Sequence, residues 1–183
     1  DSKTFEFGNT KLKFSDPVFH GPENSALGWI LMITIICDDE KVLFASDVQG
    51  PMYNPTLDII LAEKPQLVIM GGPPTYLAEF RVKEEHIKQG MQNLKSLVKR
   101  VPTTILEHHP LRDEEWRNLF QPIFDAASEV DHKVVTAAEF VGKENNLLEF
   151  RRRQLFESEP PSPEFEKWMK LSQPKRKLTR PPI

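Results

Sequence analysis

The sequence predicts an α/β protein built on a mixed sheet, and three observations carry that prediction. Residues 4–47 fall into short apolar or alternating blocks divided by Gly, Asn and Asp, the pattern of a β-meander. From residue 54 the apolar period lengthens to that of a helix, about 3.6 residues. The later apolar blocks, 66–70, Thr103–Glu107 and 134–136, then alternate with helical stretches, as αβ units do.

Thr4–Phe7 and Thr10–Phe14 alternate around Gly8-Asn9, two residues that tolerate positive φ, and read as a hairpin. Residues 17–19 form a short strand that ends at His20-Gly21-Pro22. Residues 28–37 read as one long strand, turned back by Asp38 to Lys41 into 42–47, so this pair is antiparallel. The near-continuous apolar character of both strands predicts that both faces are covered and that they lie centrally. Leu57, Ile60 and Leu61 mark a helix that stops before Pro65. Strand 66–70 closes at Gly71-Gly72-Pro73-Pro74, and a helix over 83–99 carries Ile87, Met91, Leu94 and Val98 on one side. Thr103–Glu107 leads to His108-His109-Pro110, and Asp113 is placed to cap the next helix. Trp116 to Ala127 form that helix, kinked or divided by Pro122. Thr136 with Glu139 three residues on predicts a capping box after the last strand. A helical pattern resumes over 147–156. Residues 1–159 thus form the body, and 160–183 a Pro-rich charged tail with one short helix around Phe165, Trp168, Met169 and Leu171, its basic end solvated.

The net charge of −3 argues against strong attraction to nucleic acid or anionic membranes. The longest apolar run, 29–37, is half the length of a membrane span. Cys37, the single cysteine, has no internal partner and fits a reducing, cytoplasmic setting.

Chemistry concentrates at strand ends. His20, Asp47 and His108 each end a predicted strand just before a Gly- or Pro-containing break, so all three can converge on one crevice at the sheet edge. Imidazole with carboxylate suits zinc, manganese or iron. Against this, a strand-end His is often hydrogen-bonded filler, and Asp47 can cap a turn. Thr75 and Tyr76, after the Gly-Pro turn, and Arg112, beside the His pair, are candidates for binding an anionic substrate. A plain turn into a helix and an Arg112–Asp113 ion pair are the alternatives. His86 and His132 read as solvated, and Arg151-Arg152-Arg153 as a wet helix face.

Phe19-His20-Gly21 with Leu27-Gly28-Trp29, then Ala45-Ser46-Asp47, then Leu106-Glu107-His108-His109-Pro110-Leu111-Arg112 resembles the C-terminal half of the metallo-β-lactamase fold. The order is similar to that of tRNase Z-type members. The phrases Ala45 to Pro51, Gly72 to Leu77 and Thr136 to Phe140 resemble an uncharacterised, largely archaeal family of predicted hydrolases with that fold, over roughly residues 4–159. The resemblance implies one half of an αββα sandwich and a metal-dependent hydrolase of phosphodiester or other ester bonds. It implies a divalent metal, zinc, with two ions when the site is complete. His20, Asp47 and His108 become metal ligands, Asp47 the carboxylate bridging two ions, and Asp47 with His108 the catalytic pair. His109 is the alternative to His108, because adjacent residues on a strand point to opposite faces. The superfamily's His-x-His-x-Asp-His signature is absent, so the chain reads as a fragment whose N-terminal half of the same fold is its main partner. A small molecule or phosphoester would be the substrate, self-association a consequence of half a sandwich, and nucleic acid a weakly supported partner. The reading from another class is a non-catalytic interaction module, or an inactive fragment, that binds a partner chain.

Overall fold

The computed structural model describes residues 3–78 and 80–182. They fall into two units, divided between Asn146 and Leu147.

In the first unit the strands are β1 (Thr4–Phe7), β2 (Thr10–Phe14), β3 (Val18–Phe19), β4 (Trp29–Ile30), β5 (Ile33–Cys37) and β6 (Glu40–Ala45). Then α1 (Asn54–Glu63), β7 (Leu67–Gly71), α2 (Glu84–Val98), β8 (Thr103–Glu107), α3 (Trp116–Leu119), α4 (Gln121–Ser128), β9 (Lys133–Thr136) and α5 (Ala137–Phe140) follow. Seven strands make one sheet in the order β1-β2-β5-β6-β7-β8-β9. β1, β2, β5 and β6 pair antiparallel in turn, and β6, β7, β8 and β9 run parallel. The chain is therefore α/β with a mixed sheet. Each parallel step is bridged by helix, so the carboxyl ends of β6, β7, β8 and β9 share one edge.

The predicted strand 28–37 is in fact two. β4 pairs with β3 in a separate two-stranded sheet, while β5 joins the large one. The break falls at Leu31-Met32, where the Met32 N–H donates to Ser15 Oγ at 2.9 Å and the Ser15 N–H to the Met32 carbonyl at 2.9 Å. Those two bonds bind the bend to the end of β2 and let one apolar run serve two sheets. The hairpin β1–β2 and the capping box at Thr136 form as the residue types predict. Glu139 N–H donates to Thr136 Oγ1 at 3.1 Å and the Thr136 N–H to Glu139 Oε2 at 2.9 Å. Pro122 does divide its helix, since Phe120 between α3 and α4 is non-helical and Pro122 opens α4. Asp113 does not cap α3. Its Oδ1 accepts from the Glu115 N–H at 3.1 Å, a turn just ahead of the helix. His132 is not solvated either: Nδ1 lies 2.8 Å from the Val98 carbonyl oxygen.

The two faces of the large sheet differ. One carries Leu43, Val68 and Thr104 in one register row and Ala45, Met70, Leu106 and Thr136 in the next. Those residues are buried under Leu57 and Ile60 of α1, Leu94, Leu97 and Val98 of α2, and Ile123, Ala126 and Ala127 of α4. The other face carries Phe14, Ile33, Phe44, Ile69, Ile105 and Val135 in one row, with Phe5, Leu12, Ile35, Val42 and Leu67 beside it. Within this unit the short α5 region approaches that face, where Phe140 and Val141 line a cavity of about 650 Å³ together with Ile69 and Ile105. The expectation that this strand pair is covered on both faces therefore fails in this chain: Phe44 of β6 is 39% exposed and Ile35 of β5 37%.

The second unit holds α6 (Arg152–Ser158), α7 (Pro163–Met169) and α8 (Gln173–Leu178). Ser162 caps α7 through the Phe165 N–H at 3.1 Å, and Pro163 occupies its first turn. The tail carries a second helix that the sequence reading lacks. Pro174 opens α8 and the basic residues Lys175, Arg176 and Lys177 close it, where cations suit the carbonyl end of a helix. Ile183, the tail's last residue, lies outside the described residues.

Candidate metal centre

Four segments deliver the site to the carboxyl edge of the sheet. Phe19 pairs with Trp29 across β3 and β4, their rings stacked at 4.1 Å, and the His20 N–H donates to the Gly28 carbonyl at 3.0 Å. These contacts fix His20 immediately beyond β3. Gly21, at φ +89°, turns the chain so closely against Gln49 that a Cβ there would stand 2.3 Å from Gln49 Oε1. β6 stops at Ala45, and Asp47 stands in the short 3₁₀ turn Ser46–Val48, its side chain 44% exposed. β7 ends at Gly71. A Cβ on Gly71 would meet the Ser46 carbonyl oxygen at 2.6 Å, His108 Cε1 at 3.2 Å and His109 Cδ2 at 3.2 Å. Only glycine allows this approach of turn, strand and imidazoles.

Beyond β8 the two histidines turn the same way. Asp47 Oδ1 lies 3.3 Å from His108 Nε2, 3.4 Å from His20 Nε2 and 3.9 Å from His109 Nε2. The sequence argument that only one of His108 and His109 can face the site fails because strand alternation ends at Glu107. His109 has helical dihedrals (φ −65°, ψ −56°), and the two rings sit 4.1 Å apart. Ligand atoms of His20, Asp47 and His109 all lie within 4.8 Å of one another, the one such group among the described residues. His108 reaches the same carboxylate without joining that group.

Two of the imidazole nitrogens, His20 Nε2 and His109 Nε2, are shut from solvent and have no hydrogen-bond partner. A buried polar atom left so is costly, and a cation between it and Asp47 would satisfy it. Burial, reinforced by the charges of His108 and Arg112, lowers the His109 pKa to about 4, so its ring is neutral and ligand-competent at physiological pH. The donor set of imidazoles and one partly open carboxylate fits a borderline divalent metal such as zinc.

An outer set of groups backs the rings. Arg112 Nη1 donates to the Tyr76 hydroxyl at 2.7 Å, and that oxygen lies 3.4 Å from His109 Nδ1. Tyr76 and Arg112, singled out as substrate contacts, thus stand beside the His pair. Thr75 does not join them: its hydroxyl donates to Asp113 Oδ2 at 3.2 Å. Glu107, which the sequence reading left without a role, places Oε2 3.8 Å from His108 Nδ1. The His108 imidazole, with help from Ser46, holds its carboxyl below the ordinary carboxylate value against the opposing effect of burial. The signal for Glu107 was adjacency to the His pair, but strand alternation points it away and hides its reach.

The chain is similar to archaeal proteins named UPF0282 protein. It is 43% identical over 155 residues to one from Methanopyrus kandleri, covering 85% of this chain and 52% of that protein. Identity is 36% over 160 residues with one from Korarchaeum cryptofilum, covering 87% and 53%, and 39% over 160 residues with one from Sulfurisphaera tokodaii, covering 87% and 52%. The chain spans about half the length of the curated relatives it matches. No family profile matches the chain, and no solved structure does. Among the described residues no helix is long and apolar enough to cross a membrane.

Proposed function

We propose that this chain supplies one half of a metal-dependent hydrolase centre of metallo-β-lactamase type, acting on a phosphodiester or other ester. The observation that carries the reading is the convergence of three imidazole Nε2 atoms, from two distant segments, on one oxygen of Asp47. His20, Asp47 and His109 or His108 would hold divalent zinc, with Asp47 shared between two ions. Such ions supply Lewis acidity and a water of lowered pKa. The chain's own residues do the rest. Asp47 sets the spacing, and its exposure leaves a side open to substrate. Arg112 brings positive charge to the same corner, where it would neutralise a phosphoryl or carboxyl oxygen. The Tyr76 hydroxyl, held by Arg112, is placed to donate a hydrogen bond there. The remaining ligands would come from the part of the relatives that this chain does not span, packed as a second layer on the uncovered sheet face. The acidic net charge disfavours long nucleic acids as substrate.

The test is zinc content and affinity, compared with His20→Ala and Asp47→Ala. Near-stoichiometric zinc in the wild type, lost in both variants, is the expected result. No zinc, or equal zinc in all three, would discard the reading.

The uncovered apolar face favours a second reading, a partner-binding module whose histidines are structural. It predicts zinc-free protein that associates through that face.

A further inference from the structure

We infer that Glu107 is a positioning residue for His108, holding the imidazole from behind so that Nε2 faces Asp47. The inference rests on the metal-centre reading and adds a residue that it does not use. Four observations meet at this side chain. Glu107 Oε2 lies 3.8 Å from His108 Nδ1, on the opposite side of the ring from Asp47, whose Oδ1 lies 3.3 Å from Nε2. Glu107 Oε1 is shut from solvent with no hydrogen-bond partner, a cost that a cationic centre behind the imidazole would offset. The cross-strand neighbour of Glu107 is Gly71, which has no side chain to separate the carboxylate from the ring. A Cβ on Gly71 would stand 3.2 Å from His108 Cε1, the atom between the two ring nitrogens, so the glycine is what lets the ring lie this close to β7.

Physically, an imidazole binds a metal through one nitrogen only when the other carries the proton. A carboxylate accepting from Nδ1–H fixes that tautomer, orients the ring and makes Nε2 a stronger donor. His109 has a weaker version of the same arrangement, with the Tyr76 oxygen 3.4 Å from its Nδ1. The two adjacent histidines thus differ in what stands behind them. His108 is backed by a charge, and His109 by a hydroxyl.

The experiment is a zinc titration against a competing chelator on the full chain and on Glu107→Ala, Glu107→Gln, His108→Ala and the double variant Glu107→Ala/His108→Ala. Unfolding midpoints are recorded for each. Glu107→Ala is expected to weaken zinc binding about 10- to 100-fold, the range for an outer carboxylate. Glu107→Gln, which keeps the shape and an accepting oxygen, is expected to recover part of the loss. The double variant should bind no more weakly than His108→Ala alone, because Glu107 acts only through that ring. Unchanged affinity in Glu107→Ala overturns the inference while leaving the centre standing. Losses that add in the double variant overturn it too, by making Glu107 an independent ligand or a general structural residue. A wild type that binds no zinc removes the centre and, with it, this role for Glu107.

Discussion

The two faces of the seven-stranded sheet are made of the same residue types and have different fates. Leu43, Val68, Met70 and Leu106 lie under three helices, while Val42, Phe44 and Ile69, one residue out of phase on β6 and β7, and Ile35 of β5 are only partly covered. Composition therefore reports what a strand is built to bury, and topology decides what this chain manages to bury. The two-faced apolar pattern of β6 and β7 is the pattern of strands covered on both sides. Helix bridging between parallel strands supplies one cover. The links within the antiparallel half of the sheet supply no helix, so the other face is covered only in part.

The largest effect that separates the faces is stability. Met70 is fully buried, and Met70→Ala should cost about 2–5 kcal/mol through lost burial and a cavity. Ile69→Thr, on the next residue and the opposite face, should cost less than Met70→Ala, because Ile69 is only partly buried. Denaturant unfolding of both variants measures this. Equal costs would mean that the second face is covered in solution.

The edge where the faces meet has its own sensitivity, to pH. His109 is neutral and buried when folded, with its pKa lowered from 6.5 to about 4. Below pH 6.5 the unfolded chain takes up a proton that the folded chain refuses, so stability is full above that value and falls as pH drops towards 4. The loss in the metal-free chain should reach about 3 kcal/mol. His109→Gln should flatten that part of the stability-against-pH curve, and an unaltered curve would place the ring in contact with water.

How much of this the sequence reveals depends on the range of the physics involved. Periodicity and turn chemistry are local, and they locate β1, β2, β7, β8, β9, the Pro122 division and the Thr136 capping box. The split of 28–37 between two sheets depends on Ser15, seventeen residues from Met32, and no local pattern reports it. The gathering of Asp47 with the His108–His109 pair follows from strand ends sharing one edge, so it was legible. His20 reaches them from β3 of the separate two-stranded sheet, which the one-sheet expectation did not foresee. That both histidines face Asp47 was not legible, because it depends on the chain leaving the strand at Glu107 rather than after it. The roles of Gly71 and Glu107 come from cross-strand neighbours, which a single sequence does not display.

A smaller effect sharpens the comparison at the one place where the open face begins to be covered. Thr136→Ala removes a cap whose hydroxyl accepts from Glu139 and also bonds Asn145 Oδ1 at 2.6 Å. The expected cost is about 1 kcal/mol. Hydrogen exchange at Phe140 and Val141 should quicken more than exchange in α2, since α5 has only four residues. Exchange quickening equally in both would make the cap part of the main core instead.

The smallest effect on stability should bring the clearest change in association. Phe44 sits between Ile33 and Ile69 in its row and is 39% exposed, so Phe44→Thr keeps a β-branched residue in the strand while removing an aromatic from the open face. Its effect on unfolding should stay within about 0.5–1 kcal/mol. An apolar face several strands wide is adhesive at micromolar to millimolar concentration, and self-association measured by sedimentation should weaken in the variant. Both readings of function need that face to meet another surface, so the measurement bears on each. A wild type that stays monomeric throughout, with Phe44→Thr as costly as Met70→Ala, would remove the difference between the faces. The same zinc titration on Phe44→Thr then separates the readings: unchanged zinc affinity would leave face and centre independent within this chain, whereas a parallel loss would tie metal binding to the assembly of the second layer.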